Sequence, residues 1–121
     1  MAIQKSYVDT EGNTHANAYH RVVGPWLNHG GMDDLTIADG GFGVEVYAEV
    51  AKRDKDGTGA DQVILDNYNV NVRGEDLQLI FSTRYWELSY PDGDPEFWKR
   101  CYDFLKTFKS PIDYTTGTTD V

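Results

Sequence analysis

A strict alternation over residues 42–50 limits the fold of this chain more than any other feature of its sequence. The apolar positions of the run are Phe42, Val44, Val46, Ala48 and Val50. Glu45 and Glu49 lie between them. Side chains of a strand point alternately to its two faces, so the apolar set faces a core and the glutamates face water. The run therefore predicts a half-buried β-strand.

Shorter strands are predicted ahead of this run. Residues 2–8 suit a short strand, which a turn over residues 9–13 closes. Residues 19–23 form a second strand, and we expect Gly24-Pro25 to end it because proline lacks a backbone donor. Residues 39–41 are expected to form a turn into the alternating strand.

The second half of the chain supplies the partner strands. Residues 63–72 are expected to pair antiparallel with the alternating strand, across a polar hairpin loop over residues 53–59. Their apolar phase slips at Asp66-Asn67, which predicts a bulge or two separate short strands. Residues 77–82 and 85–90 give two more strands.

A C-terminal amphipathic helix is predicted over about residues 95–109. Asp94 suits the N-cap position and Pro95 the first helical position, while Ser110-Pro111 ends the helix. The buried face recurs at helical spacing through Phe97, Cys101, Phe104 and Phe108, with Trp98 and Leu105 widening it.

These elements predict a mainly β (α+β) protein. We expect an antiparallel β-sandwich or partly open barrel of about six or seven short strands, with the helix packed on one side or end. With 121 residues, the chain is expected to form a single β-rich domain over residues 1–111, followed by a C-terminal tail over residues 112–121. Such a Thr- and Gly-rich tail needs support. A partner subunit is the first explanation, and packing on its own domain is the second.

The formal net charge of −9 limits the classes of partner that we expect for this chain. A surface of this sign repels nucleic acid and anionic membranes, which leaves basic proteins as partners or solubility as the reason for the charge. The predicted helix is locally basic through Lys99, Arg100, Lys106 and Lys109. This polarity fits either head-to-tail self-association or ion pairs within the chain. The first residues carry no hydrophobic signal region, and no apolar run reaches membrane-spanning length, so we expect neither a cleaved signal nor a membrane contact.

Reactive side chains are few. Cys101 is the one cysteine, so an internal disulfide is excluded, and its place on the apolar helix face predicts a buried, inert thiol. The histidines His15, His20 and His29 have spacings that match no compact zinc motif.

Two further patterns are candidate sites. Residues 54–59 resemble the start of a calcium loop, but Leu65 stands where a bidentate glutamate is needed, so a hairpin turn is predicted. His29 with Asp33 or Asp34 would be the first candidates for a hydrolytic site. We predict no catalytic residue, no cofactor and no metal.

The aromatic residues exceed what a small core can hide, with eight Tyr, five Phe and three Trp. Large amphipathic rings contribute strongly at interfaces, so an interaction surface is expected. Its candidate residues are Tyr7, Tyr19, Trp26, Trp86, Tyr90, Tyr114 and Val121. Three of these aromatics, Trp26, Trp86 and Tyr90, would also suit a sugar-stacking platform, although packing in a core or interface explains them equally well.

Two parts of the chain carry a family resemblance, namely residues 5–9, 12–14 and 18–21 at the start and residues 101–107 near the end. In these parts the chain resembles small uncharacterised proteins encoded in the structural modules of tailed bacteriophages. It covers about a third of the chain. The resemblance implies a virion component and gives no catalytic residue to carry over.

The expected function is therefore that of a virion structural protein, assembled in the host cytoplasm. A capsid cement or decoration protein comes first, and a neck, tail or baseplate component second. Its partners would be other virion proteins and copies of itself. One alternative is an acidic inhibitor that mimics nucleic acid, although the carboxylates are scattered through turns instead of forming rows. Another is a small carbohydrate-active or hydrolytic enzyme.

Overall fold

The computed structural model describes residues 2–28, 39–48, 64–81 and 96–121. Its strands are β1 (Ile3–Gln4), β2 (Tyr7–Val8), β3 (Thr14–His15), β4 (Tyr19–Asn28), β5 (Asp39–Tyr47), β6 (Ile64–Arg73) and β7 (Thr119–Asp120). A 3-10 helix covers Gly74–Leu79, and an α-helix, the C-terminal helix, covers Phe97–Leu105. No helix in these ranges has the length and apolarity needed to cross a membrane.

The protein is mainly β and antiparallel, as predicted. Five strands form one sheet in the order β6-β5-β4-β1-β7, and β2 pairs with β3 separately. Every described strand pair is antiparallel. That the fold is a sandwich or a partly open barrel stays a prediction.

The alternating strand is confirmed over residues 42–47, whereas Ala48 lies beyond the end of β5 and residues 49–50 lie outside the described ranges. Phe42, Val44 and Val46 of β5 are fully buried, and β6 pairs with β5 as predicted. The predicted irregularity in β6 is present but lies earlier, because Val46 pairs with Asp66 and Tyr47 pairs with Ile64. One extra residue in β6 thus bulges out of the pairing.

The predicted end of the second strand is wrong. Strand β4 continues through Gly24-Pro25 to Asn28. Between the pairs Val23↔Gly43 and Trp26↔Gly41, β4 has two residues where β5 has one. This bulge takes Gly24, at φ +56°, and Pro25 out of the pairing, so the missing proline donor interrupts nothing.

The predicted turn over residues 39–41 is likewise wrong, because these residues already belong to β5 and pair with both of its neighbours. At the N-terminus the predicted strand over residues 2–8 divides into β1 and β2. The turn that follows is confirmed: an oxygen of the Asp9 carboxylate accepts hydrogen bonds from the backbone N–H groups of Glu11 and Asn13, both at 2.9 Å.

Residues 77–82 were predicted as a strand, and this prediction is wrong for the described part. The chain leaves β6 at Gly74, where φ is +61°, and enters the 3-10 helix. Leu77, Ile80 and Phe81 are buried, a spacing of three and four that belongs to a helical turn and not to a strand.

The C-terminal helix is shorter than predicted, with Glu96 as its N-cap residue and Lys106 as its C-cap residue. Asp94 and Pro95 lie outside the described residues. The buried positions are Phe97, Cys101, Tyr102 and Leu105, whereas Phe104 and Phe108 are partly buried at the edge of the core. The buried face of the helix therefore includes Tyr102 and is rotated from the predicted face. The Tyr102 hydroxyl oxygen accepts a hydrogen bond from the Val22 backbone N–H at 2.9 Å.

The tail over residues 112–121 packs on its own domain, in agreement with the second of the two explanations for its order. Strand β7 pairs with β1, and Ala2 and Val121 exchange two backbone hydrogen bonds of 3.0 Å. Lys106 and Asp120 form an ion pair at 2.7 Å that joins the end of the helix region to β7. The predicted loop over residues 53–59 and strand over residues 85–90 lie outside the described residues.

Candidate functional site

A buried histidine lies at the centre of the polar groups inside the fold. His20 of β4 is fully buried; its Nδ1 lies 2.8 Å from the Tyr114 hydroxyl and its Nε2 lies 3.0 Å from the Lys5 carbonyl oxygen. A carbonyl only accepts, so Nε2 carries the proton and Nδ1 accepts from Tyr114. Burial lowers the pKa of His20, in keeping with this neutral ring.

Tyr68 extends the same series of hydrogen bonds. Its hydroxyl donates to the hydroxyl oxygen of Tyr114, which in turn donates to His20. Burial raises the pKa of Tyr68 to about 12 and raises the pKa of Tyr114, so both hydroxyls keep their protons. We call Tyr68, Tyr114 and His20 the tyrosine–histidine chain. It joins β6, the tail and β4, and every donor in it has an acceptor.

The remaining candidates for chemistry are also part of the fold. Cys101 is fully buried, and burial raises the pKa of its thiol to about 12, far from the range in which a thiolate forms. Across the described ranges, no group of three or more His, Cys, Asp or Glu side chains is arranged to hold a metal ion. His29, Asp33 and Asp34 lie outside those ranges.

The predicted interface residues separate into two groups. Tyr19 and Tyr114 are buried, and Tyr7 is half-buried with its hydroxyl donating to Asp66 at 3.0 Å. As a correction, the rings of Tyr19 and Tyr114 are not accessible to a partner in this conformation. Trp26 and Val121 are exposed, at 41% and 51%. Trp86 and Tyr90 lie outside the described residues.

A surface groove that the sequence analysis missed lies between the 3-10 helix and the C-terminal helix. This helix groove has a volume of about 210 Å³ and is lined by Leu79, Arg100, Asp103, Phe104 and Thr107. Leu79 is 57% exposed, while Phe104 is partly buried and packs against the core. The groove therefore has an apolar floor with charges of both signs at its rim, which is the usual anatomy of a protein-binding surface.

The rim charges are held in place by contacts within the chain. Arg100 donates from Nε to the Ile80 carbonyl oxygen at 2.8 Å, and Lys99 pairs with Asp103 at 2.8 Å. The Lys99–Asp103 and Lys106–Asp120 pairs support the second explanation for the basic helix, namely ion pairs within the chain.

The groove could have been found from one signal in the sequence. Leu77, Ile80 and Phe81 have the spacing of a helical turn, and a helical turn directs the neighbouring Leu79 outward. Because residues 77–82 were predicted as a strand, Leu79 was not recognised as a residue that points outward.

Comparisons with known proteins give no relative for this chain. No protein-family model matches it, and neither a curated protein nor a solved structure matches it significantly. The resemblance to phage structural-module proteins stays a prediction.

Proposed function

We propose that this chain is a structural component of a phage virion that works by contacts with neighbouring subunits. A capsid cement or decoration protein is the first form of the proposal, and a neck, tail or baseplate component is the second. The observation that carries it is the helix groove, an apolar depression beside the exposed Leu79 on a body whose thiol and central histidine are buried.

The helix groove is preorganised for binding. Leu77 is the buried residue of the 3-10 helix, and the hydrogen bond from Arg100 to the Ile80 carbonyl oxygen at its C-cap links this helix to the C-terminal helix. Little conformational freedom is therefore lost when an apolar side chain of a neighbour enters the groove. The charged rim favours one orientation of that neighbour.

A single contact of this size is weak. Covering the exposed half of a leucine contributes about 1 kcal/mol from apolar burial. A particle presents many copies of its subunits, and multivalent contact turns such modest contributions into firm attachment. This supports a role in an assembly better than a role as a monomeric binder.

The experiment compares two substitutions at residues of equal exposure. Leu79 and Val8 are both 57% exposed, but Val8 is not among the residues that line the helix groove. Leu79→Asp is expected to reduce incorporation into purified particles about tenfold at equal soluble expression, while Val8→Asp leaves it unchanged. Quantitative mass spectrometry of the particles measures incorporation, and circular dichroism checks that both variants fold.

Two results would contradict the proposal at different levels. Absence of the wild-type chain from purified particles removes the virion function. Equal incorporation of Leu79→Asp and Val8→Asp shows that the groove is not the contact, and the proposal then loses the observation that carries it.

A further inference from the structure

A second depression lies where the two ends of the chain meet on the sheet. Its lining comes from the end of β1 and Ser6, from the turn over residues 16–17 that precedes β4, and from the tail at Gly117 and Thr119. Its volume is about 430 Å³, within the range of roughly 300–1,000 Å³ that is typical of small-molecule sites. We call it the tail depression. It shares none of its lining residues with the helix groove.

Lys5 is the one charged side chain among the described residues that line the tail depression. Its ammonium group donates to the Thr116 carbonyl oxygen at 2.7 Å, which fixes its position and leaves two further donors. Gly117 beside it, at φ +69°, has no side chain to cover the ammonium group, whereas a Cβ there would lie 3.3 Å from Nζ. Lys99 and Lys106 pair with carboxylates at 2.8 and 2.7 Å, but no described carboxylate forms an ion pair with Lys5.

The two carboxylates of the tail are engaged away from the tail depression. Asp120 pairs with Lys106, and Asp113 accepts a hydrogen bond from the Thr115 backbone N–H at 2.9 Å. The hydrogen bonds from Thr115 lower the pKa of Asp113, and the charge of Lys5 contributes less to this shift. Neither carboxylate is among the described lining residues. An anion that enters therefore meets the ammonium group without a carboxylate beside it.

The neutral residues of the tail depression mainly offer hydrogen-bond donors. Gln4 donates from Nε2 to the Asn17 Oδ1 at 2.9 Å, so the Asn17 amide is oriented and its NH₂ group keeps two donors. Ser6 and Thr119 are exposed, and each adds a hydroxyl. A lining with one positive charge and several neutral donors suits a ligand that is rich in oxygen and carries a negative charge.

We propose that the tail depression binds a small hydroxylated carboxylate. One ammonium group balances the single charge of a carboxylate, whereas a phosphate ester carries about −1.5 to −2 near pH 7 on a chain whose net charge is already −9. The amide and the hydroxyls bond with the hydroxyl groups of the ligand. A protein partner would need a large apolar or aromatic anchor, and the described lining offers none. This site goes beyond the assembly function.

The test titrates the full chain, at pH ~7 and about 50 mM salt, with two carboxylates and their neutral counterparts. Glucuronate is compared with glucose, and gluconate with sorbitol, since each pair differs in a carboxylate against a CH₂OH group. At least one carboxylate is expected to shift the backbone amide NMR signals of residues 4–6, 16–17 and 117–119, with a Kd of about 1–10 mM. Its neutral counterpart and inorganic phosphate should bind at least about tenfold more weakly.

Two substitutions test the site, each with a matched control. Lys5→Met removes the charge and keeps the length of the side chain, and Lys109→Met removes an equal charge from an exposed residue outside the lining. Asn17→Asp keeps an acceptor for Gln4 but places a negative charge in the depression, and Gln78→Glu makes the same change on the 3-10 helix.

Lys5→Met and Asn17→Asp are each expected to raise the Kd at least about tenfold, and the controls less than about twofold. Urea midpoints without ligand check that the variants fold. Asn17→Asp also keeps the bond from Lys5 to Thr116, so weaker binding in this variant does not come from a loosened tail.

Four results would overturn the proposal. The first is no NMR shift with either carboxylate at about 50 mM. The second is equal binding of a carboxylate and its neutral counterpart. In the third, phosphate binds more tightly than both carboxylates. The last is a Kd that changes no more with Lys5→Met than with Lys109→Met.

Discussion

Replacing Tyr114 with Phe tests whether the tyrosine–histidine chain holds the tail on the sheet. The change removes one oxygen atom and keeps a ring that is 1% exposed. That oxygen donates to His20 Nδ1 at 2.8 Å and accepts from the Tyr68 hydroxyl. Both partners lose their bond at once.

The expected loss of stability follows from what is left unpaired. A net hydrogen bond is worth about 1 kcal/mol, and an unsatisfied buried acceptor such as His20 Nδ1 adds about 1–3 kcal/mol. Tyr68 is half-buried, so its hydroxyl can turn to water at little cost. The free energy of unfolding should fall by about 2–4 kcal/mol, which lowers the Tm by about 10 °C for a domain of this size.

The assay is urea unfolding followed by circular dichroism, with Tyr68→Phe as the matched variant. Tyr68→Phe leaves the Tyr114–His20 bond intact, so it should cost only about 1 kcal/mol. The double variant should cost less than the sum of the two, because the Tyr68 hydroxyl has no bond to Tyr114 left to lose once the Tyr114 hydroxyl is gone. A loss below about 0.5 kcal/mol for Tyr114→Phe, or simple additivity, would refute the claim that the tyrosine–histidine chain stabilises the fold.

Three further predictions follow from burial and close contact. Burial lowers the pKa of His20 in the folded state, so the unfolded chain takes up this proton first as the pH falls below about 6.5. The free energy of unfolding should therefore decrease toward pH ~5. In a series of urea midpoints against pH, His20→Gln should remove this part of the slope. Gly41→Ala should lower the free energy of unfolding by more than about 3 kcal/mol, against less than about 1 kcal/mol for Gly43→Ala, because only Gly41 would force a Cβ to 2.0 Å from a backbone oxygen. Cys101 should resist iodoacetamide at about pH 8 in the folded protein and react in urea; rapid labelling without urea would show that the thiol is not buried.

The parts of the fold that sequence predicts well are those in which one period dominates. Phe42, Val44 and Val46 alternate without interruption. A β-strand is the regular structure whose side chains repeat every two residues, so the central strand and its core face were predictable. The C-terminal helix was predictable in the same way. Tyr102 was not predicted as buried, because a tyrosine at the border of a helix face can belong to its apolar or its polar side. Here its hydroxyl oxygen accepts a hydrogen bond from the Val22 N–H inside the core.

The errors occurred where tertiary contacts overrule a local signal. Gly24-Pro25 is a strong stop signal, yet a bulge removes both residues from the pairing and the strand continues. No local pattern in the sequence predicted that the tail is ordered. Tyr114 is a single aromatic residue in a polar run, and its role depends on Tyr68 and His20, which lie 46 and 94 residues away along the chain. Such distant contacts leave no periodic trace in the sequence.

The pairing of the two chain ends has a mechanical consequence. Because Ala2 and Val121 are opposite each other in one antiparallel ladder, a force that pulls the ends apart loads its hydrogen bonds one after another and not together. The first yielding event under tension is therefore the peeling of β7 from β1, at low force. The segment between β7 and Tyr114 would then lengthen while β4, β5 and β6 stay closed, so the protein would give way by a few nanometres before it unfolds.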